Sequence, residues 1–281
     1  MHRYTSFAVF GAGLIGAPIA RELSARGASV LVLGRPGCCP ETVKRKLPAG
    51  VEVFEVDYTD SLVIARLLEG HAVKVVVSTM SAAEVAVQNL LATTAKAAGV
   101  ELFVPSEFGV VTDGMAGKNN EISTIEHLKS IQLPFARFYA GFFIETIPAL
   151  TGFSVNGKIN VAGYGNMPCS FTASCDVAGF VAHVLAFLPP DELFDKTFRL
   201  QGDRSTLSDL ALIFETEVAY VKEIPGQMSE VWTRMQMAAE CGVASTGWDM
   251  LQWAEGDDYA GCTNHLWEGH QWQTIKSFYR L

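Results

Sequence analysis

Positive charge is scarce in this chain. Its 281 residues carry 21 Lys and Arg against 30 Asp and Glu, a formal net charge of −9. A phosphate backbone needs a basic face to bind, so nucleic acid is not an expected partner. Long apolar runs are also missing, and none reaches the length that spans a bilayer, so no membrane partner is expected. His2 and Arg3 before a small-residue apolar stretch imitate a secretory signal, but the glycine turn described below accounts for that stretch better. The expectation is a soluble, cytoplasmic protein. The six cysteines form no C-x-x-C pair, and a chain of this size has little need of a disulfide framework. Cys262, His265 and His270 are near in sequence but fit no common zinc spacing, so no metal is expected. H-E-x-x-H, the P-loop and G-x-S-x-G are absent, which removes zinc proteases, P-loop NTPases and serine hydrolases of the elbow type.

What is present begins at Phe7. Phe7 to Phe10 is a short apolar run of the kind that forms a buried parallel strand. It leads into Gly11-Ala12-Gly13-Leu14-Ile15-Gly16, a G-x-G-x-x-G. A helical pattern over Pro18 to Ala25 follows, then Arg26-Gly27 and a second strand, Ser29 to Leu33. Strand, glycine turn, helix and strand in that order predict a dinucleotide site. Gly11 makes the tight turn, Gly13 lets a pyrophosphate approach, and Gly16 lets helix and strand pack, with the helix N-terminus facing the phosphates. Leu14 and Ile15 complete the turn. An NAD-selective site usually has an acid at the end of the second strand. Here that end reads Leu33-Gly34-Arg35, followed by Lys44, Arg45 and Lys46. A guanidinium in place of a carboxylate suits a 2′-phosphate, so the expected cofactor is NADP(H).

Strand and helix continue to alternate. Val51 to Val56, Val73 to Val77 and Val100 to Val104 read as strands. Helices are expected over Ser61 to Glu69, with Leu62, Ala65 and Leu68 on one face, and over Ala82 to Ala98, closed by Gly99. The fold class is therefore α/β, a doubly wound parallel sheet of the Rossmann type with right-handed crossovers. Ligands of such sheets lie beyond the carboxyl ends of the strands, which adds Thr79, Met80, Ser106 and Phe108 to the candidate cofactor site. Asp57 also falls on that rim, as an adenine contact or a loop cap. Residues 1–150 are expected as the cofactor domain. Residues 151–281 are expected as a smaller, discontinuous substrate domain, with a strand near 197–201 returning to the main sheet and a helix over Ser205 to Ala219. All five tryptophans fall in this second part.

The stretch Val104-Pro105-Ser106-Glu107-Phe108-Gly109, with Lys118, Glu126 and Leu133-Pro134-Phe135 after it, resembles the isoflavone reductase-like group of the NmrA-like proteins. These are atypical short-chain dehydrogenases that include phenylcoumaran benzylic ether and pinoresinol–lariciresinol reductases. The resemblance runs from about Phe7 to Gln201 and includes the glycine motif and Arg35. It departs at Ser123 and Thr124, where the plant enzymes carry an arginine pair, and at Tyr139-Ala140-Gly141-Phe142-Phe143.

The resemblance implies an NADPH-dependent oxidoreductase that transfers hydride to a small aromatic or conjugated substrate. The alternative it leaves is a non-catalytic NADP(H)-binding sensor, a class that often lacks the lysine. No tyrosine here has a lysine four residues later, so the usual Tyr-x-x-x-Lys donor is unavailable. Lys118, in a Gly- and Asn-rich loop, is then the candidate acid or oxyanion stabiliser and a further cofactor contact. Tyr139, Phe142 and Phe143 are candidate walls of the substrate pocket, with a plain core role as the alternative. A homo-oligomer is compatible with this reading.

Overall fold

The computed structural model describes residues 3–37, 41, 45, 47–81, 84–113 and 122–281. Their contacts divide the chain into two compact units. The first comprises Met1–Glu107, Ala116–Arg137 and Ala178–Thr197; the second comprises Phe108–Met115, Phe138–Val177 and Phe198–Leu281. The division therefore does not fall at a single point near residue 150. The chain crosses from one unit to the other several times.

The first unit is built on a five-stranded parallel sheet: β1 (Ser6–Phe10), β2 (Ser29–Gly34), β3 (Glu52–Glu55), β4 (Val75–Ser78) and β5 (Leu102–Val104), in the order β3-β2-β1-β4-β5. The Rossmann-type α/β class read from the sequence is the one observed. Phe7 to Phe10 and Val75 to Ser78 are buried on both faces, which explains why these strands are unbroken apolar runs. The helices are α1 (Gly16–Ala25), α2 (Ser61–Gly70), α3 (Val85–Ala97) and α4 (Thr124–Ser130).

Local chemistry sets their ends. Asp60 caps α2 by accepting from Val63 N at 3.1 Å, and Ser123 with Glu126 forms a capping box on α4. Gly99, at φ 79°, ends α3 as expected. The inward face of α2 differs from the expectation: Ile64 and Leu68 are buried, and Leu62 is exposed. Four residues apart, Ile64 and Leu68 stack on one face, and Leu62 is rotated away from it.

Phe103 bridges Phe135, which precedes β6 (Ala136–Tyr139), and β6 pairs with β10 (Lys196–Arg199). The strand expected near 197–201 thus lies one pairing beyond that bridge.

In the second unit, β7 (Phe142–Phe143) pairs in parallel with β9 (Pro168–Thr172), and β9 pairs antiparallel with β11 (Asp203–Thr206). A parallel pair joins β8 (Ile159–Val161) to β12 (Val218–Tyr220), and a hairpin joins β13 (Trp248–Asp249) to β14 (Ala254–Glu255). The helix expected over Ser205 to Ala219 is instead a strand, a single turn at Leu210–Ile213, and another strand. Long-range pairing with β9 and β8 overrides the local pattern, and Glu215 at φ 50° breaks any continuous helix.

Gln236 organises this unit's interior. Fully buried on a helix (Ser229–Ala239), it accepts from Ala162 N at 2.8 Å and donates to the carbonyls of Leu150 and Asn160 at 2.8 and 3.0 Å. Removing it strands three buried backbone groups. Gln236→Ala is expected to lower stability by about 3 kcal/mol, because leaving such groups unsatisfied costs about 1–3 kcal/mol each and they relax in part. Urea unfolding measures this; a midpoint unchanged from wild type would refute it.

Candidate functional site

The sheet order reverses between β1 and β4, and in doubly wound sheets the ligand crevice lies at that switch point. Both strands end there in the candidate residues. Gly11 N donates to Leu33 O at 2.9 Å, and Gly11 adopts φ 99°, which a side chain would strain. Thr79 N and Oγ1 both donate to Phe10 O, at 2.9 and 2.8 Å, and the hydroxyl lies 3.3 Å from Gly11 O. Thr79 thus fastens the glycine turn to the end of β4.

The three glycines have different duties. A Cβ on Gly16 would stand 2.3 Å from Gly11 O and 2.5 Å from Thr79 Oγ1, so Gly16 permits the close packing of helix on turn. A Cβ on Gly13 would meet nothing within 4 Å, so that glycine leaves open space at the surface. Beside it, Leu14 is half exposed and Ile15 is buried. The N-terminus of α1 has no side-chain cap and no acid in its first turn. An uncapped positive dipole end and a Gly13 with no neighbour where a side chain would stand together fit a pyrophosphate.

Arg35 follows the last residue of β2. Its guanidinium lies 5.4 Å from the Tyr58 ring centroid and is ion-paired through Nη2 with Glu84 Oε2. The side chain is 51% exposed, so a ligand phosphate can reach it. Ser106 Oγ donates to Met80 O at 2.7 Å, and Ser106 N donates to the buried Gln88 Oε1 at 2.7 Å. These bonds join the rim after β4 to the rim after β5, which brings Thr79, Met80 and Ser106 together. Asp57 serves its own loop: its carboxylate accepts from Thr59 N and Oγ1, at 2.9 and 2.8 Å, and these bonds hold it below the usual carboxylate range. Glu107 faces Arg137 at 3.8 Å, with both side chains largely buried.

Phe108 belongs to the second unit, stacked 6.0 Å from Phe138, which in turn stacks 4.9 Å from Phe198. Tyr139 is fully buried, with its hydroxyl 3.1 Å from Thr112 Oγ1 and the Arg199 guanidinium 5.5 Å from its ring centroid. Phe142 is buried against Phe171, and Phe143 is half-buried. Tyr139 and Phe142 thus pack as core, because the strands that carry them lie inside the unit. Lys118 falls outside the described residues. So do Lys44 and Lys46.

The second unit holds a cavity of about 560 Å³, within the range of small-molecule sites. Trp248, Met250, Leu251, Arg199 and Asp113 are among the residues that line it, and Asp113 lies five residues before Lys118 in sequence. Three of these come from the hairpin β13–β14 and its turn.

Residues 5–228 match the model of the NmrA-like family. The chain belongs to the NmrA-like family. Pinoresinol reductase 1 of Arabidopsis thaliana is 28% identical over 250 residues, covering 78% of this chain and 76% of that protein. The structure of AtPrR2 with NADP+ and (+)pinoresinol matches at 21% identity with a TM-score of 0.73, over 99% of this chain and 98% of the other. The binary complex of leucoanthocyanidin reductase with NADPH from Vitis vinifera matches at 17% identity and a TM-score of 0.75, over 98% of each chain. These likenesses show a fold shared with those two structures over nearly the full length, including the tryptophan-rich end where no resemblance was legible.

Three features of this NmrA-like chain escaped the sequence reading. Glu84, at the start of α3, pairs with Arg35 at the end of β2, and no local pattern announces it. Gln88 carries a signal, since a glutamine on the buried face of α3 needs a polar partner. The hairpin over 248–255 lies in the stretch without a resemblance. Among the described residues, no helix is long and apolar enough to cross a membrane, and no group of His, Cys, Asp and Glu is placed to hold a metal.

Proposed function

We propose that the chain is an NADPH-dependent reductase of a small aromatic or conjugated substrate, a carbonyl, enone or benzylic ether. The observation that carries this reading is the Gly11–Gly16 turn at the sheet's switch point, with Arg35 at the end of β2 where an NAD site carries an acid. Gly13 and the uncapped start of α1 receive the pyrophosphate, and Arg35 receives the 2′-phosphate. Thr79, Met80 and Ser106 form the neighbouring rim. When bound, the reduced nicotinamide supplies the hydride. Lys118 meets the developing oxyanion, as acid or as electrostatic clamp.

The substrate takes the cavity lined by Trp248, Met250 and Leu251, whose flat and flexible apolar side chains suit an aromatic ring. The pinoresinol reductase relatives support that substrate class. The decisive test follows NADPH absorbance with a panel of lignans, flavonoids, quinones and aryl aldehydes. Steady consumption supports the reductase. Tight NADPH binding with no turnover across the panel overturns it in favour of a cofactor-binding regulator.

Arg35→Ala is expected to weaken NADPH about tenfold and to leave NADH nearly unchanged. A hydrogen bond to a charged group contributes about 1.5–3 kcal/mol. The half-exposed position and the competing carboxylate of Glu84 place this site at the low end of that range. Calorimetric titration of both cofactors checks it, and equal losses for the two would contradict the assignment.

A further inference from the structure

The carboxylate on Arg35 bears on cofactor choice. Glu84 immediately precedes the first residue of α3, where a side chain ordinarily turns back to cap its own helix, yet it makes no such bond. Its Oε2 instead engages Arg35 Nη2, and Glu84 remains 28% exposed. The guanidinium proposed to receive the 2′-phosphate is therefore already held by an anion of the protein. An incoming phosphate must displace that carboxylate or share the guanidinium with it, and two anions on one cation repel each other. A 2′-hydroxyl imposes no such cost. It can donate to Glu84, the service that a strand-end acid performs in NAD sites.

We infer that Glu84 is a specificity-determining residue that restrains NADPH binding and narrows the preference over NADH. The inference rests on the proposed dinucleotide site and adds to it a residue from the start of α3. Arg35 supplies the attraction for the 2′-phosphate, and Glu84 sets how much of that attraction is realised. The pair also neutralises the guanidinium when no cofactor is bound, so other phosphorylated metabolites meet a masked charge.

Calorimetric titration of NADPH and NADH tests this with the wild type, Glu84→Gln, Glu84→Ala, Arg35→Ala and the double variant Glu84→Gln/Arg35→Ala. Thermal melts monitor folding. Glu84→Gln keeps the shape and removes the charge, and it should tighten NADPH about fivefold, the scale of a half-exposed charge interaction. NADH should stay within about twofold. Glu84→Ala should move NADPH in the same direction, and the gain should vanish when Arg35 is absent. Weaker NADPH binding in Glu84→Gln would overturn the inference, because Glu84 would then serve to aim Arg35. An equal shift for both cofactors, or a gain that persists without Arg35, would overturn it as well. A wild type that binds neither cofactor would overturn the dinucleotide site itself. Normal NADPH binding that ignores Glu84 would overturn only its role.

Discussion

Lys118→Ala is expected to lower turnover on a confirmed substrate about a hundred- to a thousandfold while leaving NADPH affinity within about threefold of wild type. The scale is that of losing one donor aimed at charge that develops only in the transition state. The argument begins with an absence: no tyrosine of this chain has a lysine four residues on, so hydride delivery lacks the usual proton donor. Among the described residues, the polar side chains of the candidate rim are already engaged. Asp57 is committed to Thr59, Glu107 faces Arg137, and Ser106 gives its hydroxyl to Met80. Lys118 follows the Pro105 to Gly109 motif in sequence, and Asp113, on the way to it, lines the cavity proposed for substrate.

Lys118→Arg separates two mechanisms. A guanidinium keeps its proton near neutral pH, so partial recovery with arginine would indicate an electrostatic clamp, and no recovery would indicate proton donation or strict geometry. Single-turnover absorbance measurements with saturating NADPH provide the rate. Wild-type turnover in Lys118→Ala would make the residue an ordinary solvated lysine and remove it from the mechanism.

The dinucleotide half was legible because its determinants are local. A glycine turn, a buried strand on either side and a helix between them are consecutive in sequence, and their geometry follows from backbone rules that tolerate little variation. Thr79 was placed at the crevice by the same topological rule, although its bond to Phe10 O, which locks the turn, depends on β4 pairing with β1. Arg35 was legible as a cation at a strand end. Its partner was not, because Glu84 lies 49 positions away and reaches it only through the fold.

The second unit was less legible for a related reason. Its strands are two to five residues long and pair across wide separations, such as Asp203 with Phe171 and Val218 with Ile159. Such segments are too short to show a period, so Ser205 to Ala219 looked helical although its ends are strands. The aromatic residues at the end of β6 and in β7 show the same ambiguity. Tyr139 and Phe142 are buried by the unit's own packing, and in sequence an aromatic core and an aromatic pocket look the same.

Gly16→Ala and Gly13→Ala should fail in different ways, and the difference tests the site independently of any substrate. The added methyl of Gly16→Ala would stand 2.3 Å from Gly11 O and 2.5 Å from Thr79 Oγ1, distances that real Cβ atoms do not tolerate. Neither neighbour can yield cheaply. Gly11 is held by its bond to Leu33 O, and Thr79 Oγ1 by its bond to Phe10 O. Relief requires α1 to move away from β1 and β2, which unseats Ile19 and Leu23, both fully buried. Overpacking of this kind costs about 1–3 kcal/mol, so a lower melting temperature and a loss of NADPH binding should appear together.

In Gly13→Ala the methyl enters open space and φ is not positive, so the melting temperature should stay within a degree or two of wild type. If pyrophosphate occupies that space, the methyl meets the ligand instead of the protein, and NADPH should weaken at least tenfold in a fully stable variant. NADH should weaken equally, because both cofactors share the pyrophosphate. That separates Gly13 from Arg35, whose loss should affect NADPH alone. A stable Gly13→Ala that binds NADPH as tightly as wild type would mean that the phosphates lie elsewhere, and the cofactor site would have to be moved.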